Sequence, residues 1–235
     1  MIQSGAMRSF FSFPLLLLGL TFPGSAVSAL AADHTPPPVA PATSFPAVEV
    51  HDKEKVAIAV EPYNTKDQEK IFHIDYMKYG VVPVRLIVTN LGDQPISLRD
   101  ARILFETANG DRIQAAEPDD VERLMNQHEP HGAMPTPSPL PVPIPGLHVK
   151  HKNHDKEIED DFNTFEYEAL VVEPHTTRAG FLFYVVPGSG DPLKGADMSV
   201  TKVRNSDGEE LFYFQIPFEK YLKAKTTQAI QGSSE

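Results

Sequence analysis

The stretch VVPVRLIVTNLGDQPISL, residues 81–98, decides the fold. Its first half carries apolar side chains at every second position: Val82, Val84, Leu86 and Val88. Arg85 and Thr89 fall on the opposite face, so the pattern predicts a half-buried strand. The Asn, Gly, Asp and Pro that follow predict a turn, after which the apolar pattern resumes. This arrangement is typical of a β-sandwich, and the stretch itself holds no group that binds or cleaves a substrate.

The N-terminus has the pattern of a secretory signal peptide over residues 1–31. Arg8 supplies the positive start, and residues 10–20 (FFSFPLLLLGL) form an apolar run too short for a membrane span. Small residues at 27–29 or 29–31 satisfy the cleavage rule. We therefore expect export to the periplasm or the extracellular space, with no transmembrane span after cleavage. An uncleaved N-terminal anchor is the alternative.

The composition excludes several kinds of chemistry. The 235 residues include no cysteine, which rules out a lipidated cysteine, disulfides, thiolate metal sites and a cysteine nucleophile. The formal net charge is −11, and loss of residues 1–31 lowers it by one because Arg8 is their only charged residue. An acidic surface repels nucleic acid and anionic lipid, and it keeps an exported protein soluble. The chain length favours one folded domain.

Changes in composition divide the chain into segments. We predict a Pro-rich linker over residues 32–50, a β-sandwich over 51–218 and a polar C-terminal tail over 219–235. An Asn-Gly pair at 109–110 and an Asp-Gly pair at 207–208 predict hairpin turns. The expected fold is an all-β, antiparallel sandwich of about seven to nine strands. Its predicted strands are residues 56–60, 71–76, 81–89, 101–107, 111–115, 164–172, 180–186, 199–204 and 210–216.

Two short helices are also predicted, over residues 118–127 and 155–163. The first has acidic residues in its first turn, where they suit the helix dipole, and an apolar face that includes Val121 and Met125. The second has Ile158 and Phe162 one turn apart as its apolar anchors.

A Pro/His-rich loop insertion over residues 128–154 lies between these helices. Seven of the 22 prolines fall between Pro130 and Pro145, which predicts an exposed, polyproline-like loop. The loop also carries five of the nine histidines: His128, His131, His148, His151 and His154. Imidazoles at this spacing are candidate ligands for zinc or copper, with Asp155, Glu159 and Asp161 as nearby carboxylates. A solvated polar loop is the alternative interpretation.

Other catalytic patterns are missing from the sequence. It contains no G-x-S-x-G, H-E-x-x-H, Walker or G-x-G-x-x-G motif. Ser189 stands between glycines but in a Pro-flanked turn rather than a strand-turn-helix context. His73 is interpreted as a residue on a strand face. We therefore expect a protein that is not an enzyme and has no cofactor other than the zinc or copper considered for the loop.

A family resemblance rests on two motifs. Residues 84–98 follow the pattern V-x-L-x-V-x-N-x-G-x-x-P-I-x-L, and an Asn-Gly hairpin comes after the next strand. Residues 173–177 (EPHTT) form a turn before the strand GFLFYVVP at 180–187. Over about residues 56–218 the chain resembles bacterial exported immunoglobulin-like domains of the telokin-like kind. The resemblance implies an immunoglobulin-like fold and a cell-envelope location, and it transfers no catalytic or binding residues.

The chain differs from antibody domains because it lacks both the cysteine pair and the tryptophan of their core. We expect phenylalanines to replace them: Phe105, Phe181, Phe183, Phe212 and Phe214. The strand at residues 181–186 is apolar on both faces, so it is either central or covered by another subunit.

Three functions are compatible with these features. The first is a non-enzymatic, immunoglobulin-like envelope module that binds an unknown envelope protein or polymer through loops or an edge strand. The second is a periplasmic metal-binding protein that uses the histidine-rich loop. The third is a hydrolase or transferase whose site is assembled from dispersed residues. The oligomeric state is not predicted.

Overall fold

A computed structural model describes residues 34–128, 154–188 and 190–232, all within the compact unit Ala32–Glu235. In chain order its strands are β1 Val48–His51, β2 Val56–Pro62, β3 Val81–Asn90, β4 Ile96–Ser97, β5 Arg102–Glu106, β6 Arg112–Gln114, β7 Val171–Val172, β8 Thr177–Val185, β9 Asp197–Thr201 and β10 Phe214–Pro217. Its α-helices are α1 Lys66–Glu69, α2 Pro118–His128, α3 Asp155–Phe165 and α4 Glu219–Gly232. Short 3-10 helices occupy Ala42–Ser44 and Tyr76–Tyr79.

The strands form antiparallel sheets. The first sheet has four strands in the order β1-β2-β3-β8, and the second has four in the order β10-β9-β5-β6. A small third sheet pairs β4 with β7. The protein is therefore mostly β, with few helices, as the sequence predicts. The hairpin expected at Asn109 and Gly110 is confirmed, because β5 pairs antiparallel with β6 across it and Gly110 has a φ of +86°.

The main core lies between the two four-stranded sheets. The alternate apolar residues of β3 lie in one continuous cluster with the inward residues of the second sheet. The second sheet contributes Phe105, Met198, Val200, Phe214 and Ile216, all fully buried. Burial of apolar surface stabilises the fold by about 25 cal/mol per Å². Face-to-face packing of this kind is typical of a β-sandwich.

The predicted half-buried state of β3 is wrong. All ten of its residues are buried, and Arg85 and Thr89 on the outer face are only 4% and 5% exposed. The cover is the segment before β1, where the backbone oxygens of Pro37 and Pro38 each accept a hydrogen bond of 2.8 Å from Arg85 Nη2. Thr89 Oγ1 accepts a 2.8 Å hydrogen bond from the Ala42 amide. The residues assigned to a linker by composition thus contact the first sheet.

Helices α2 and α3, together with residues 63–76, cover the outer face of the first sheet at β8. Their apolar residues pack with Phe181 and Phe183 of β8 in a second cluster, which includes Val121, Met125, Ile158, Phe162 and Phe165. This packing explains why β8 is apolar on both faces: its other face, with Tyr184, belongs to the main core. Both helices lie where the sequence predicts them.

Three local predictions are wrong. Residues 71–76 form turns and the start of a 3-10 helix rather than a strand, although Phe72 and Ile74 are buried in the second cluster. Most of residues 164–172 is also not a strand, since α3 ends at Phe165 and β7 holds only two residues. Phe212 is 64% exposed instead of lying in the core, because regular pairing with β9 begins only at Phe214.

Candidate binding face

The outer face of the second sheet is an accessible surface among the described residues. Alternate residues of its strands point away from the core, and several are exposed, including Arg102, Arg112 and Gln215. Together with the chain before β10 they line a groove of about 940 Å³, which we call the aromatic groove. Its floor includes Leu104, Ser199 and Thr201. The corresponding face of the first sheet is occupied by helices and the N-terminal segment.

Two exposed aromatic side chains stand at the side of this groove. Phe212 and Tyr213 are 64% and 49% exposed, and their ring centroids lie 4.7 Å apart at an interplanar angle of 32°. Large apolar side chains that stay exposed next to polar groups are typical of interaction sites. Sequence reasoning missed this pair because the alternation of residues 210–216 gives Phe212 and Phe214 the same face.

The charges that line the groove are equal in number, and one oppositely charged pair among them is in contact. The lining has three basic residues, Arg102, Arg112 and Lys202, and three acidic ones, Glu54, Glu106 and Glu210. Arg112 Nε lies 3.0 Å from Glu106 Oε1, and Glu210 Oε1 accepts a 3.2 Å hydrogen bond from the Lys202 amide.

Gln215 adds a link across the strands of the groove. Its side-chain amide donates to Asp197 at 3.0 Å and to Glu106 at 3.4 Å. The surface is therefore an ordered set of donors and acceptors whose lining side chains are balanced in charge.

A histidine between two carboxylates fixes one rim of the groove. His51 Nδ1 lies 2.7 Å from Glu54 Oε2, and its Nε2 lies 3.1 Å from Glu49 Oε1. The imidazole ring stacks on Phe214, with centroids 3.9 Å apart and planes within 11°. These contacts attach the end of β1 to β10, so the two sheets are joined at this edge.

The same carboxylates cover the edge of β10. Glu54 Oε1 accepts a 2.7 Å hydrogen bond from the Phe212 amide, and Glu49 Oε2 accepts a 2.9 Å bond from the Gln215 amide. Exposed strand edges attract other strands, and side chains that occupy their donors prevent this. His51, Glu49 and Glu54 therefore hold the backbone of the aromatic pair in place and protect the edge of β10.

A second polar cluster lies beneath α3, remote in sequence from its partners. Asp161 is fully buried and accepts hydrogen bonds from the His73 amide, from His73 Nδ1 at 2.7 Å and from Tyr76 Oη at 3.0 Å. Burial raises the pKa of Asp161, and the hydrogen bonds from His73 and Tyr76 oppose that rise. Asp161, considered above as a metal ligand, instead attaches α3 to the segment before β3.

The N-terminal segment completes this cluster. The ring of His34 stacks on the ring of His73, with centroids 3.8 Å apart, and His34 Nδ1 donates to the Ile71 backbone oxygen at 2.8 Å. A cleft of about 310 Å³ beside His73 is lined by Lys66, Glu69, Lys70, Phe72, Ile74 and Asp75. Since this lining has no Ser, Thr or Cys, it provides no side-chain nucleophile for an imidazole base of the Ser-His kind.

Glu69 is the titratable group of this cleft with the most altered acidity. Burial, followed by the nearby Asp75 carboxylate, raises the pKa of Glu69 to about 7. Its Oε1 accepts a 2.8 Å hydrogen bond from the Met77 amide, which favours the ionised form and limits the rise.

The predicted metal ligands fall mostly outside the described residues. His131, His148 and His151 lie there entirely, and His128 ends α2 with its side chain outside the description. His154 precedes α3, and its Nδ1 lies 2.6 Å from Glu157 Oε2. Among the residues that the structure describes, no three His, Cys, Asp or Glu side chains form a group that could hold a metal ion. A zinc or copper site in this loop stays a prediction.

Comparison with known proteins identifies no family for this chain. No family model, no curated protein and no solved structure matches this chain. Within residues 34–128, 154–188 and 190–232, no helix combines the length and the apolar character needed to cross a membrane.

Proposed function

We propose that this protein is an exported, non-enzymatic, immunoglobulin-like binding module of the bacterial cell envelope. The export part is supported by the signal-peptide pattern of residues 1–31. The binding part is supported by one observation above all: the exposed aromatic pair beside an ordered polar groove. Solvent-exposed aromatic residues on a rigid scaffold are characteristic of recognition surfaces.

The strand order supports the immunoglobulin-like part of the proposal. Immunoglobulin sandwiches place strands A, B and E in one sheet and strands G, F and C in the other. In this proposal β2, β3 and β8 correspond to A, B and E, while β10, β9 and β5 correspond to G, F and C. β6 extends the second sheet beside β5, as strand C′ does in variable-type domains. Helices α2 and α3 enter between β6 and β8, where such domains carry strand D or its loop.

The location of the aromatic groove fits a binding role. It lies on the sheet that corresponds to G-F-C, whose outer face remains exposed, and the opposite sheet is covered. The rigid sandwich holds the face in shape, so binding does not require the chain to order itself first.

Recovery of partners from an envelope fraction tests the proposal. The bait is the chain from residue 32 to 235, either unchanged or with the double substitution Phe212→Ala and Tyr213→Ala. We expect the double variant to lose the specific partner, whether protein or polymer. The control is Leu170→Ala, which removes an exposed apolar side chain from the loop before β7. Equal recovery by all three proteins would show that the aromatic groove is not the recognition surface.

A further inference from the structure

We infer that the aromatic groove binds an uncharged, extended oligosaccharide. The inference rests on the proposed binding function and specifies its ligand class. It is carried by three features of the groove: charge balance, exposed aromatic rings and a protected strand edge.

The charge balance favours an uncharged ligand. With three basic and three acidic side chains in its lining, the groove offers no net attraction to a polyanion, and the neighbouring carboxylates of Asp197 and Glu49, which a polycation would seek, are already hydrogen-bonded to Gln215. The protein as a whole carries a formal charge of −11, which opposes an anionic polymer further. A charged ligand would also have to compete with the contact between Arg112 and Glu106. Hydroxyl groups can be added to these contacts without separating the charges, because each hydroxyl both donates and accepts.

The polar groups of the groove match a polyhydroxyl chain. The Arg112 guanidinium has five N–H donors, of which Nε faces Glu106, so others are available to sugar oxygens. Glu106 and Glu210 have acceptor capacity beyond the bonds already described. Thr201 adds a hydroxyl, which can serve as donor or acceptor. Donors and acceptors are thus both present along the groove.

The aromatic pair supplies the apolar part of sugar recognition. A pyranose ring has a face of C–H groups that packs on an aromatic ring through dispersion and through the negative potential of the ring face. Phe212 and Tyr213 are 64% and 49% exposed, and their rings lie against each other with 4.7 Å between centroids, so the pair forms one exposed aromatic surface. The hydrogen bond from the Phe212 amide to Glu54 holds this segment in place, which lowers the entropic cost of binding.

The protected edge argues against the main competing occupant, an added β-strand from a protein. Strand addition uses the free amides and carbonyls of an edge. At the β10 edge the Gln215 amide is already bonded to Glu49, and just before this strand the Phe212 amide is bonded to Glu54. A peptide strand would have to displace both carboxylates, whereas a sugar chain lying across the sheet face leaves them in place.

Calorimetric titration of residues 32–235 with cellohexaose, chitohexaose and maltohexaose tests the inference. We expect saturable binding of at least one of them, with an affinity that changes little between low and high salt because the ligand is uncharged. Phe212→Ala should weaken that binding about tenfold through loss of ring packing. Phe212→Tyr should retain it, since the ring remains, and Leu170→Ala should leave it unchanged.

Two results would overturn the inference. One is the absence of binding to all three sugars by folded protein, with folding checked by circular dichroism. The other is sugar binding that Phe212→Ala does not weaken. If sugars fail while an envelope protein is still captured in a Phe212- and Tyr213-dependent manner, the ligand class is wrong and the proposed binding function stands. If the aromatic substitutions weaken neither sugar binding nor partner capture, the ligand class and the proposed binding function are both wrong.

Discussion

Single residues determine how the turn after β3 is built. Asn90 is buried, and its Nδ2 donates to the backbone oxygens of Gln94 at 2.7 Å and Val172 at 3.0 Å. Its Oδ1 accepts a 2.9 Å hydrogen bond from the Gly92 amide. One side chain therefore closes the turn and attaches it to β7.

Asn90→Asp should destabilise the protein by about 2 to 4 kcal/mol, because a carboxylate oxygen would face two carbonyl oxygens in a buried place. Urea unfolding followed by circular dichroism measures this. Asp93→Asn, on an exposed side chain of the same turn, should change the free energy of unfolding by less than about 0.5 kcal/mol. Equal effects of the two changes would refute the role given to Asn90.

Gly180 permits a close approach between β8 and the chain after α3. A Cβ placed at this position would lie 2.5 Å from Tyr167 Cα and 2.8 Å from Glu166 O, which are backbone atoms that cannot move independently. We expect Gly180→Ala to cost about 2 kcal/mol or more in unfolding free energy. A Cβ at Gly92 would lie 3.3 Å from the Lys55 side chain and 3.4 Å from Asn90 Oδ1, which are side-chain atoms. Gly92→Ala should therefore cost clearly less in the same unfolding experiment.

At the scale of elements, Asp161 is the polar attachment of α3. Asp161→Asn replaces one acceptor oxygen by an NH₂ group that faces the donors of His73 and Tyr76. We expect a loss of about 1 to 3 kcal/mol and faster amide hydrogen exchange in α3 than in β3. Asp160→Asn, next along the helix and exposed, is the matched control and should leave exchange unchanged. Uniform acceleration over the whole protein would contradict a local attachment.

Glu69, in the segment before β3, should make the stability of the protein depend on pH. Its pKa is about 7 in the folded protein and near 4.5 in the unfolded chain, so the folded state binds more protons between these values. Stability from this group is therefore largest at low pH and falls as the pH rises from about 4.5 through 7.

Glu69→Gln should remove that decrease, as measured by thermal unfolding at pH 5 and pH 8. Glu173→Gln changes an exposed carboxyl and should preserve it. If the decrease persists in the Glu69 variant, the raised pKa of Glu69 is not its cause.

Elements also show what local sequence can and cannot predict. The period-2 alternation of β3 and the apolar anchors of α2 and α3 are encoded locally, and the sequence located these elements well. Alternation reports which residues are apolar, but not what covers each face. The burial of Arg85 depends on the oxygens of Pro37 and Pro38, 48 and 47 residues away. The contact of His73 with Asp161 joins residues 88 positions apart, so no local pattern could reveal it.

At the scale of the whole molecule, the two four-stranded sheets differ in their outer faces: one is covered and the other is exposed. The helices and the N-terminal segment bury the outer face of the first sheet, and the aromatic groove occupies the outer face of the second. The sequence predicted the mostly β architecture, but it assigned Phe212 to the core and directed attention to the histidine-rich loop. The groove could not be predicted because it depends on which strands share a sheet.

Mapping of the bound ligand by NMR tests the central claim most directly. Uniformly ¹⁵N-labelled residues 32–235 would be titrated with the partner or polymer recovered from the envelope, and amide shifts would be followed. The proposed function predicts that the largest shifts cluster at Arg102, Thr201, Tyr213 and Gln215, on the outer face of the second sheet. Shifts concentrated on α2 and α3 instead, with the second sheet unaffected, would contradict it.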